Sequence, residues 1–539
     1  MKREPMLAQI RERQQPPQQP WDLIVIGGGA TGAGVAVDAA TRGFSVLLLE
    51  REDFGKGTSS RSTKLVHGGV RYLEQGNVSL VMEALKERGL LRQNAPHLVH
   101  NVPFVVPNYV WWEAPFYGIG LKLYDLLAGK YGFGKSQILS REQTLERMPA
   151  LRQDGLRGGV IYHDGQFDDS RLLINLIQTA VDHGACALNY APVVELHKDQ
   201  DGFIDGVVAL DRESCERFDL RARVVVNATG MFTDEIRRMA DAKVETMIAP
   251  SQGIHLVLDG SFLLGRTAVM VPHTSDGRVL FAIPWHGHTV VGTTDTPIDA
   301  PSYEPLPFEQ EIEFVLETAR EYLSHPPTRA DVLSVYVGIR PLVKAGGADG
   351  GKTSSLSRDH TVHIDQSGLL TIVGGKWTTY RHMAEDTVNH AITLGQLDQR
   401  PCVTHDLPIH GFLEGVEPDG DLWVYGADAE KIRVLAHQSS ELAQQLHPDL
   451  PYIAAEVVWA ARVEMARTVE DVLARRTRAL FLDAHAAIAM APEVARLLAA
   501  ELGNDETWAA NQVAKFNRLA AQYTLLGVAE ASQSQPKKD

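Results

Sequence analysis

The period of the apolar positions changes along this chain, and the changes mark its elements. Residues Asp22 to Ile26 form a short run, apolar after its first residue, that reads as a buried strand. It stops at Gly27, a helix face follows through Ala36, and a second strand, Ser45 to Leu49, ends at Glu50. Residues 190 to 230 alternate as a small antiparallel sheet would, finishing in Val224 to Val226 followed by Asn227-Ala228-Thr229-Gly230. From Gly253 to Thr296 come the strand-like runs HLVLDG, TAVMVPH, VLFAIPW and HTVVGTTD, separated by Gly, Pro and Asp turns. Leu369 to Val373 is a last short strand, leading through Gly374-Gly375-Lys376 into the helix TTYRHMAEDTVNHAI, with Thr378 or Thr379 as its N-cap. Beyond about residue 396 the period is helical, clearest in YIAAEVVWAARVEMA and in TVEDVLARRTRALFL, which opens on Thr468 with Asp471 three positions later. This predicts a separate C-terminal helical domain.

Three stretches do not fit a simple core. The first twenty residues, rich in Gln and Pro toward their end, read as a flexible leader, and SQSQPKKD reads as a polar tail. The hydroxyl-dense loop Thr58 to Thr63 runs into LVHGGVRYLEQG and reads as lining a ligand. Val105 to Tyr131 is rich in aromatics, with Lys122 and Lys130 beside apolar residues; it reads either as a cap helix with a core face or as a monotopic surface for a membrane or quinone.

Composition then narrows the function. The 539 residues allow two to four folding units. A net charge of -16 argues against general nucleic-acid binding, so an anionic substrate must meet a local basic cluster. Cys186, Cys215 and Cys402 are far apart, without a C-x-x-C, and suggest neither a disulfide framework nor a zinc site; a reducing, cytosolic setting is the natural expectation. No window reaches the ~18 consecutive apolar residues of a membrane-spanning helix.

The most specific signal is Trp21 to Glu50. Gly27, Gly29 and Gly32 have G-x-G-x-x-G spacing between a strand and a helix, with a second strand and an acid at the expected distance. Gly27 permits the turn, Gly29 lets amides approach a pyrophosphate, Gly32 lets helix and strand close, and the helix N-terminus favours the anion. Glu50 suits a ribose. NAD and the ADP half of FAD both satisfy this unit. The paired Asp168 and Asp169 invite an acid/base reading, but a helix cap at Asp169 is favoured.

Taken in order, the dinucleotide unit, TSSRSTKLVHGGVRYLE, the strand ending in NATG, IPW followed by VVGTTD, VGIRPL, SRDH and GGKWTTYR resemble the FAD-dependent glycerol-3-phosphate dehydrogenases, within the D-amino-acid-oxidase-like flavoenzymes. The resemblance covers residues 21 to 395, and RVEMARTVEDVLARRTRALFLD resembles that family's C-terminal helical domain. It implies an α/β fold in which a Rossmann-type FAD-binding domain (about 21–106, 165–250 and 350–395) is interleaved with a β-rich substrate domain (about 107–164 and 251–349). An all-helical domain over 396–528 and a tail over 529–539 follow.

The same resemblance implies oxidation of sn-glycerol 3-phosphate to dihydroxyacetone phosphate by hydride transfer to flavin N5, with electrons passed to a membrane quinone. An oxidase using oxygen is the alternative. It places Arg340 and Arg358 on the substrate phosphate, whose oxygens match guanidinium forks, and Arg71 and Tyr72 beside the substrate. His255 is the candidate base, with His67 its competitor. Lys376 and the helix start after it suit the negative charge of a reduced flavin. FAD contacts fall on Gly27, Gly29, Gly32 and Glu50, on Ser59, Ser62, Lys64 and His67, on Ala228 and Gly230, and on Lys376 and Thr378. For Arg475, Arg476 and Arg478 only interdomain ion pairs are expected. The implied setting is cytoplasmic, peripheral on the inner face of the cell membrane, with no metal; a homodimer is compatible.

Overall fold

In a computed structural model of the chain, strand β1 (Trp21–Ile26) lies inside an eight-stranded sheet. The structure describes residues 1–69, 77–272, 274, 278–344, 360–418 and 420–534. Strand β1 pairs in parallel with β2 (Val46–Leu49) and β10 (Arg217–Asn227), so that Ile24 faces Leu47 on one side and Val225 on the other. Beyond β2 lies β7 (Cys186–Leu188) and beyond β10 lies β18 (Leu370–Gly374), both parallel; β17 (His360–Ile364) adds antiparallel to β18. Helices Ala30–Thr41, Asp169–Asp182 and Tyr380–Leu394 pack on this sheet, which explains the unbroken apolar runs in β1 and β2. The alternating region is the antiparallel set β8 (Val193–Lys198), β9 (Ile204–Leu210) and the first half of β10.

A second sheet of ten strands runs in the order β15 (Thr296–Pro297), β11 (Ile248–Asp259), β14 (His288–Gly292), β13 (Leu280–Trp285), β12 (Ala268–Val271), β4 (Val99–Asn108), β6 (Gly158–Phe167) and β3 (Leu65–Val66). Strand β16 (Val332–Val343) pairs with β11, and β5 (Gln137–Ser140) with β6. This corrects the expected boundaries, because β3, β4 and the end of β6 belong to the second sheet rather than splitting at 106 and 165. The reason is long-range pairing, Val102 opposite Asp164 and Val99 opposite Phe167, which local periodicity does not register.

Residues 1–20 are not a free leader throughout. Arg3–Gln14 is a helix whose Met6, Leu7 and Ile10 are buried in the core of the first sheet. Their i, i+1, i+4 spacing sits in so polar a segment that only the partners make it a face. Arg3 is buried too, with Nη1 donating to the Asn189 carbonyl at 2.6 Å and Nη2 paired to Asp211. The C-terminal part is helical apart from the pair β19 (Gln445–His447) and β20 (Leu450–Ile453). It is not separate: Val457, Leu473 and Met490 share one core with Phe104, Tyr162 and Trp285 of the second sheet. Helix Leu525–Ser534 also extends into the expected polar tail, seating Val528 in the core of the second sheet.

Helix Glu113–Ala128 has two apolar stripes. Tyr117, Leu121, Tyr124 and Ala128 face the core, whereas Trp112, Phe116, Ile119, Leu123 and Leu126 face outward at the same i+3/i+4 spacing, Leu126 being 76% exposed and neighbouring Trp111 75% exposed. Among the described residues no helix is long and apolar enough to cross a membrane.

Candidate active site

The two sheets meet around a cavity of about 380 Å³ whose wall begins at the C-terminal end of β1. Gly27 has φ +109°, and a Cβ there would lie 2.6 Å from the Ala228 carbonyl oxygen; a Cβ on Gly32 would lie 1.9 Å from the Gly27 oxygen. These glycines let helix Ala30–Thr41 start against the strand, with Gly29 as its N-cap and its first amides at the cavity. Gly32 itself stands behind the wall. The buried Glu50 carboxylate accepts from Gly28 N at 2.6 Å and Glu52 N at 2.8 Å while lining the cavity. Burial raises its pKa, against those two amides. The cradle therefore fits a dinucleotide: amides for phosphates, an acid for a ribose, and no room for a side chain where the chain turns.

The hydroxyl-rich loop forms the next wall. Ser59 Oγ accepts from Ala30 N at 2.9 Å, tying the loop to the helix start, and Ser59 O accepts from Trp377 Nε1 at 2.9 Å. Thr58 Oγ1 donates to Ile339 O at 2.7 Å. Beyond β18, Gly374 and Gly375 take positive φ (76° and 73°), delivering Lys376 and the short turn Trp377–Thr379 to the cavity before the helix Tyr380–Leu394. Thr379, not Thr378, is the residue before that helix, and Thr378 Oγ1 instead accepts from His67 N at 3.3 Å. Ala228 and Gly230 line the same cavity after β10.

The β11–β16 ladder supplies the second sheet's contribution. His255 lies opposite Tyr336, and Ser251 opposite Arg340, so strand alternation puts His255, Tyr336 and Arg340 on one face. The His255 ring stacks on Tyr336 at 4.8 Å between centroids, and Gly292 opposite it has no Cβ, which would lie 2.4 Å from the imidazole. His255 is 3% exposed; its Nε2 is 2.9 Å from Thr63 Oγ1. Burial lowers its pKa well below the ordinary histidine value, and Lys64 and Arg340 add to this. Arg340, with a side chain 25% exposed, pairs with Asp295 at 3.1 Å and donates to Thr293 Oγ1 at 3.3 Å.

Most of the residues named from sequence thus meet here: Gly27, Gly29, Glu50, Ser59, Ser62, His67, Ala228, Gly230, His255, Arg340, Lys376 and Thr378 all line the cavity. Arg71, Tyr72 and Arg358 lie outside the described residues. Lys64 is a correction. It is fully buried beneath the loop, donating to Asp169 Oδ2 at 2.7 Å and Ser60 O at 2.8 Å, because its chain turns inward at a positive φ of 64°. Burial pushes its pKa down to about 7 against the raising effect of Asp169.

Asp169 is a second correction. The cap of helix Asp169–Asp182 is Asp168, which accepts from Arg171 N at 3.0 Å, while Asp169 receives Ser62, Lys64 and Arg478. Residues missed in the sequence are Thr63, Asp295 and Tyr336. All three lie inside or beside motifs already recognised, but only the β11–β16 register sets Tyr336 on His255, and only the folded loops bring Thr63 and Asp295 to His255 and Arg340.

The arginines Arg475, Arg476 and Arg478 now have an account. Arg475 Nε and Arg476 Nη1 hold Asp53 at 2.5 and 2.7 Å, and Arg478 donates to Ser60 O at 2.9 Å. Burial would raise the Asp53 carboxyl, but the two guanidiniums hold it well below the usual range. Both contacts lie on the loop between β2 and β3. The C-terminal part thus fixes the cofactor wall.

Comparison with known proteins gives the same picture. Residues 22–381 match the FAD-dependent oxidoreductase family, and residues 422–509 match the C-terminal domain of alpha-glycerophosphate oxidase. The chain is 42% identical over 516 residues to a probable mitochondrial glycerol-3-phosphate dehydrogenase of Caenorhabditis elegans, covering 90% of this chain and 71% of that one. It is 42% identical over 523 residues to the mitochondrial glycerol-3-phosphate dehydrogenase of Homo sapiens, with the same shares. Among solved structures, the glycerol-3-phosphate dehydrogenase of Bacillus halodurans complexed with FAD aligns with a TM-score of 0.77 at 30% identity, over 96% of this chain and 98% of that one.

Gly32→Ala tests the cradle, since its Cβ would meet backbone 1.9 Å away. The variant is expected to purify with little flavin absorbance relative to protein absorbance while keeping wild-type far-UV circular dichroism. Full flavin content would contradict the assignment.

Proposed function

Because the chain belongs to the FAD-dependent glycerol-3-phosphate dehydrogenases, we propose that this cavity oxidises sn-glycerol 3-phosphate to dihydroxyacetone phosphate and that the electrons leave to a membrane quinone. The observation that carries this reading is one cavity with a dinucleotide cradle at one end and His255, Arg340 and Lys376 around the other. When bound, FAD supplies the two-electron acceptor; Gly27, Gly29, Glu50 and Ser59 hold its ADP half, and Lys376 and Thr378 stand at its ring end.

The chain's own residues divide the remaining work. Arg340 binds the phosphate dianion, its fork held in place by Asp295 and Thr293. His255 is neutral because it is buried beside two cations, so it is ready to take the hydroxyl proton. Its Nε2 is 2.9 Å from the Thr63 hydroxyl, and both residues line the cavity, so Thr63 would link the substrate hydroxyl to the base. Lys376, which lines the cavity, would supply a positive charge to stabilise a flavin that accepts the electrons.

The outward stripe of helix Glu113–Ala128 supports a peripheral seat on the inner face of the cell membrane, with Trp111, Trp112, Phe116, Ile119, Leu123 and Leu126 entering the interface and Lys122 and Lys130 near its edges. A cytoplasmic enzyme lying there meets a quinone without crossing the bilayer.

Two measurements follow. A base with a depressed pKa stays deprotonated as pH falls, so kcat at saturating substrate is expected to stay level through neutrality and to decline only well below pH 6.5. His255→Gln should lower kcat by about 10²- to 10⁴-fold, and Thr63→Val should lower it by about tenfold, one hydrogen bond's worth. An acid limb at or above that pH, or an unimpaired His255→Gln enzyme, would count against the assignment.

The second compares a vesicle-borne quinone, a soluble dye and oxygen as acceptors. Quinone and dye are expected to support turnover with little hydrogen peroxide. Ile119→Glu with Leu126→Glu should abolish vesicle co-sedimentation and quinone turnover and leave dye turnover intact. Hydrogen peroxide formed at the rate of substrate loss would identify an oxidase instead.

A further inference from the structure

Among residues that do not line the cavity, two short sequence pairs come together at helix Tyr380–Leu394. His382 and Glu385 are one turn apart on the helix, and Cys402 and His405 are the ends of C-V-T-H in the segment that follows it. Each pair is separated by two residues, the spacing of paired metal ligands. One ligand atom each from Glu385, Cys402 and His405 lies within 4.8 Å of the other two, and all three side chains are half-buried. We propose that Glu385, Cys402 and His405 form a binding site for a borderline-soft divalent ion, Zn²⁺ being the natural occupant, with one position left for water. The spacing of the cysteines alone did not suggest this; the fold supplies the carboxylate and the imidazole.

Cys402 and Glu385 have hydrogen-bonding neighbours, but the histidines approach Glu385 without bonding it. His405 Nε2 is 3.8 Å and His382 Nδ1 is 4.0 Å from the same Glu385 Oε2, too far for hydrogen bonds. Ligands about 2.0–2.3 Å from a tetrahedral ion stand roughly 3.4–3.8 Å from one another. A modest contraction would thus bring the donors onto an ion.

Charge favours a cation as well. The carboxylates of Asp38, Glu83, Glu87 and Glu385 gather here against the guanidiniums of Arg42 and Arg381, and Asp38–Arg42 and Glu87–Arg381 neutralise each other at 2.6 and 2.7 Å. Arg381 Nη1 stands 2.8 Å from Glu385 Oε2 and 3.9 Å from Cys402 Sγ, so an entering ion displaces this one guanidinium nitrogen, which keeps Glu87 as a partner through Nε and Nη2. The Cys402 thiol donates to Asp38 Oδ1 at 2.9 Å, which gives its proton a direct acceptor when a metal–sulfur bond forms. The bond formed is a zinc thiolate, the proton goes to Asp38 or solvent, and nothing is oxidised.

The test uses the flavin-loaded enzyme, stripped with a chelator and given Zn²⁺ or Co²⁺. About one zinc per chain should survive gel filtration, and Co²⁺ should add a thiolate charge-transfer band in the difference spectrum. Zinc should raise the thermal midpoint, as any ligand of the folded state does. Cys402→Ser should abolish the band and weaken zinc retention at least tenfold, and His405→Gln, which leaves the Asp38–Cys402 contact alone, should weaken it similarly. Flavin content and dye-linked turnover should remain at wild-type level in both. Failure of the wild-type enzyme to retain zinc or show the band, or retention that both variants leave unchanged, would overturn the site.

Discussion

The architecture turns on one buried carboxylate. Asp169 accepts from Ser62 N and Oγ at 3.1 and 2.7 Å, from Lys64 Nζ at 2.7 Å and from Arg478 Nη2 at 3.1 Å. It thereby joins the hydroxyl-rich loop, the start of a helix on the first sheet and the C-terminal part. Lys64 is packed at about 5 Å from the rings of Trp285, Tyr336 and Phe481, and Arg478 at 4.4 Å from Phe481. Breaking a buried pair by removing one partner costs about 3–5 kcal/mol, because the charge left behind has no water. The same carboxylate sets the wall on which Thr63 meets His255, so stability and chemistry share one constraint.

A similar economy governs the cations at the cavity. An acidic chain must handle a phosphorylated substrate, and the expected local cluster is present: Arg51, Lys56, Arg61, Arg340 and Lys376 all line the space. Several are already engaged, Arg51 with Glu235 at 2.9 Å, Lys56 with Glu470 at 2.9 Å and Arg61 with Glu304 at 2.8 Å. Those pairs bind loops together. Arg340 pairs with Asp295 at 3.1 Å and keeps its side chain 25% exposed at the cavity.

How much of this could be read beforehand depended on distance along the chain. The cradle was legible because strand, glycines, helix and acid fall within one short segment, and each is dictated by backbone geometry. The Thr468–Asp471 box was legible for the same reason, and its reciprocal bonds form at 3.0 and 3.1 Å. The helix Arg3–Gln14 was hidden because its three apolar residues matter only against β7 and β10. Asp168 and Asp169 could not be told apart, since the cap and the ion-pair hub differ by one residue and only Lys64 and Arg478 assign them. Family resemblance named His255 and Arg340, but only the β11–β16 register set Tyr336 on His255, and only the folded loops brought Thr63 to His255 and Asp295 to Arg340. Helix Glu113–Ala128 has the core face that a cap helix needs, and a second apolar stripe that stands in the open.

The central claim is that the cation-lined end of the cavity selects a phosphorylated alcohol for oxidation by the flavin held at the other end. Anaerobic titration of the flavin-loaded enzyme with sn-glycerol 3-phosphate, with glycerol as the comparison, measures this with no electron acceptor present. Glycerol 3-phosphate is expected to bleach the oxidised flavin stoichiometrically, and glycerol at the same concentration to leave it yellow. Equal bleaching by the two alcohols, or none by glycerol 3-phosphate, would contradict the account.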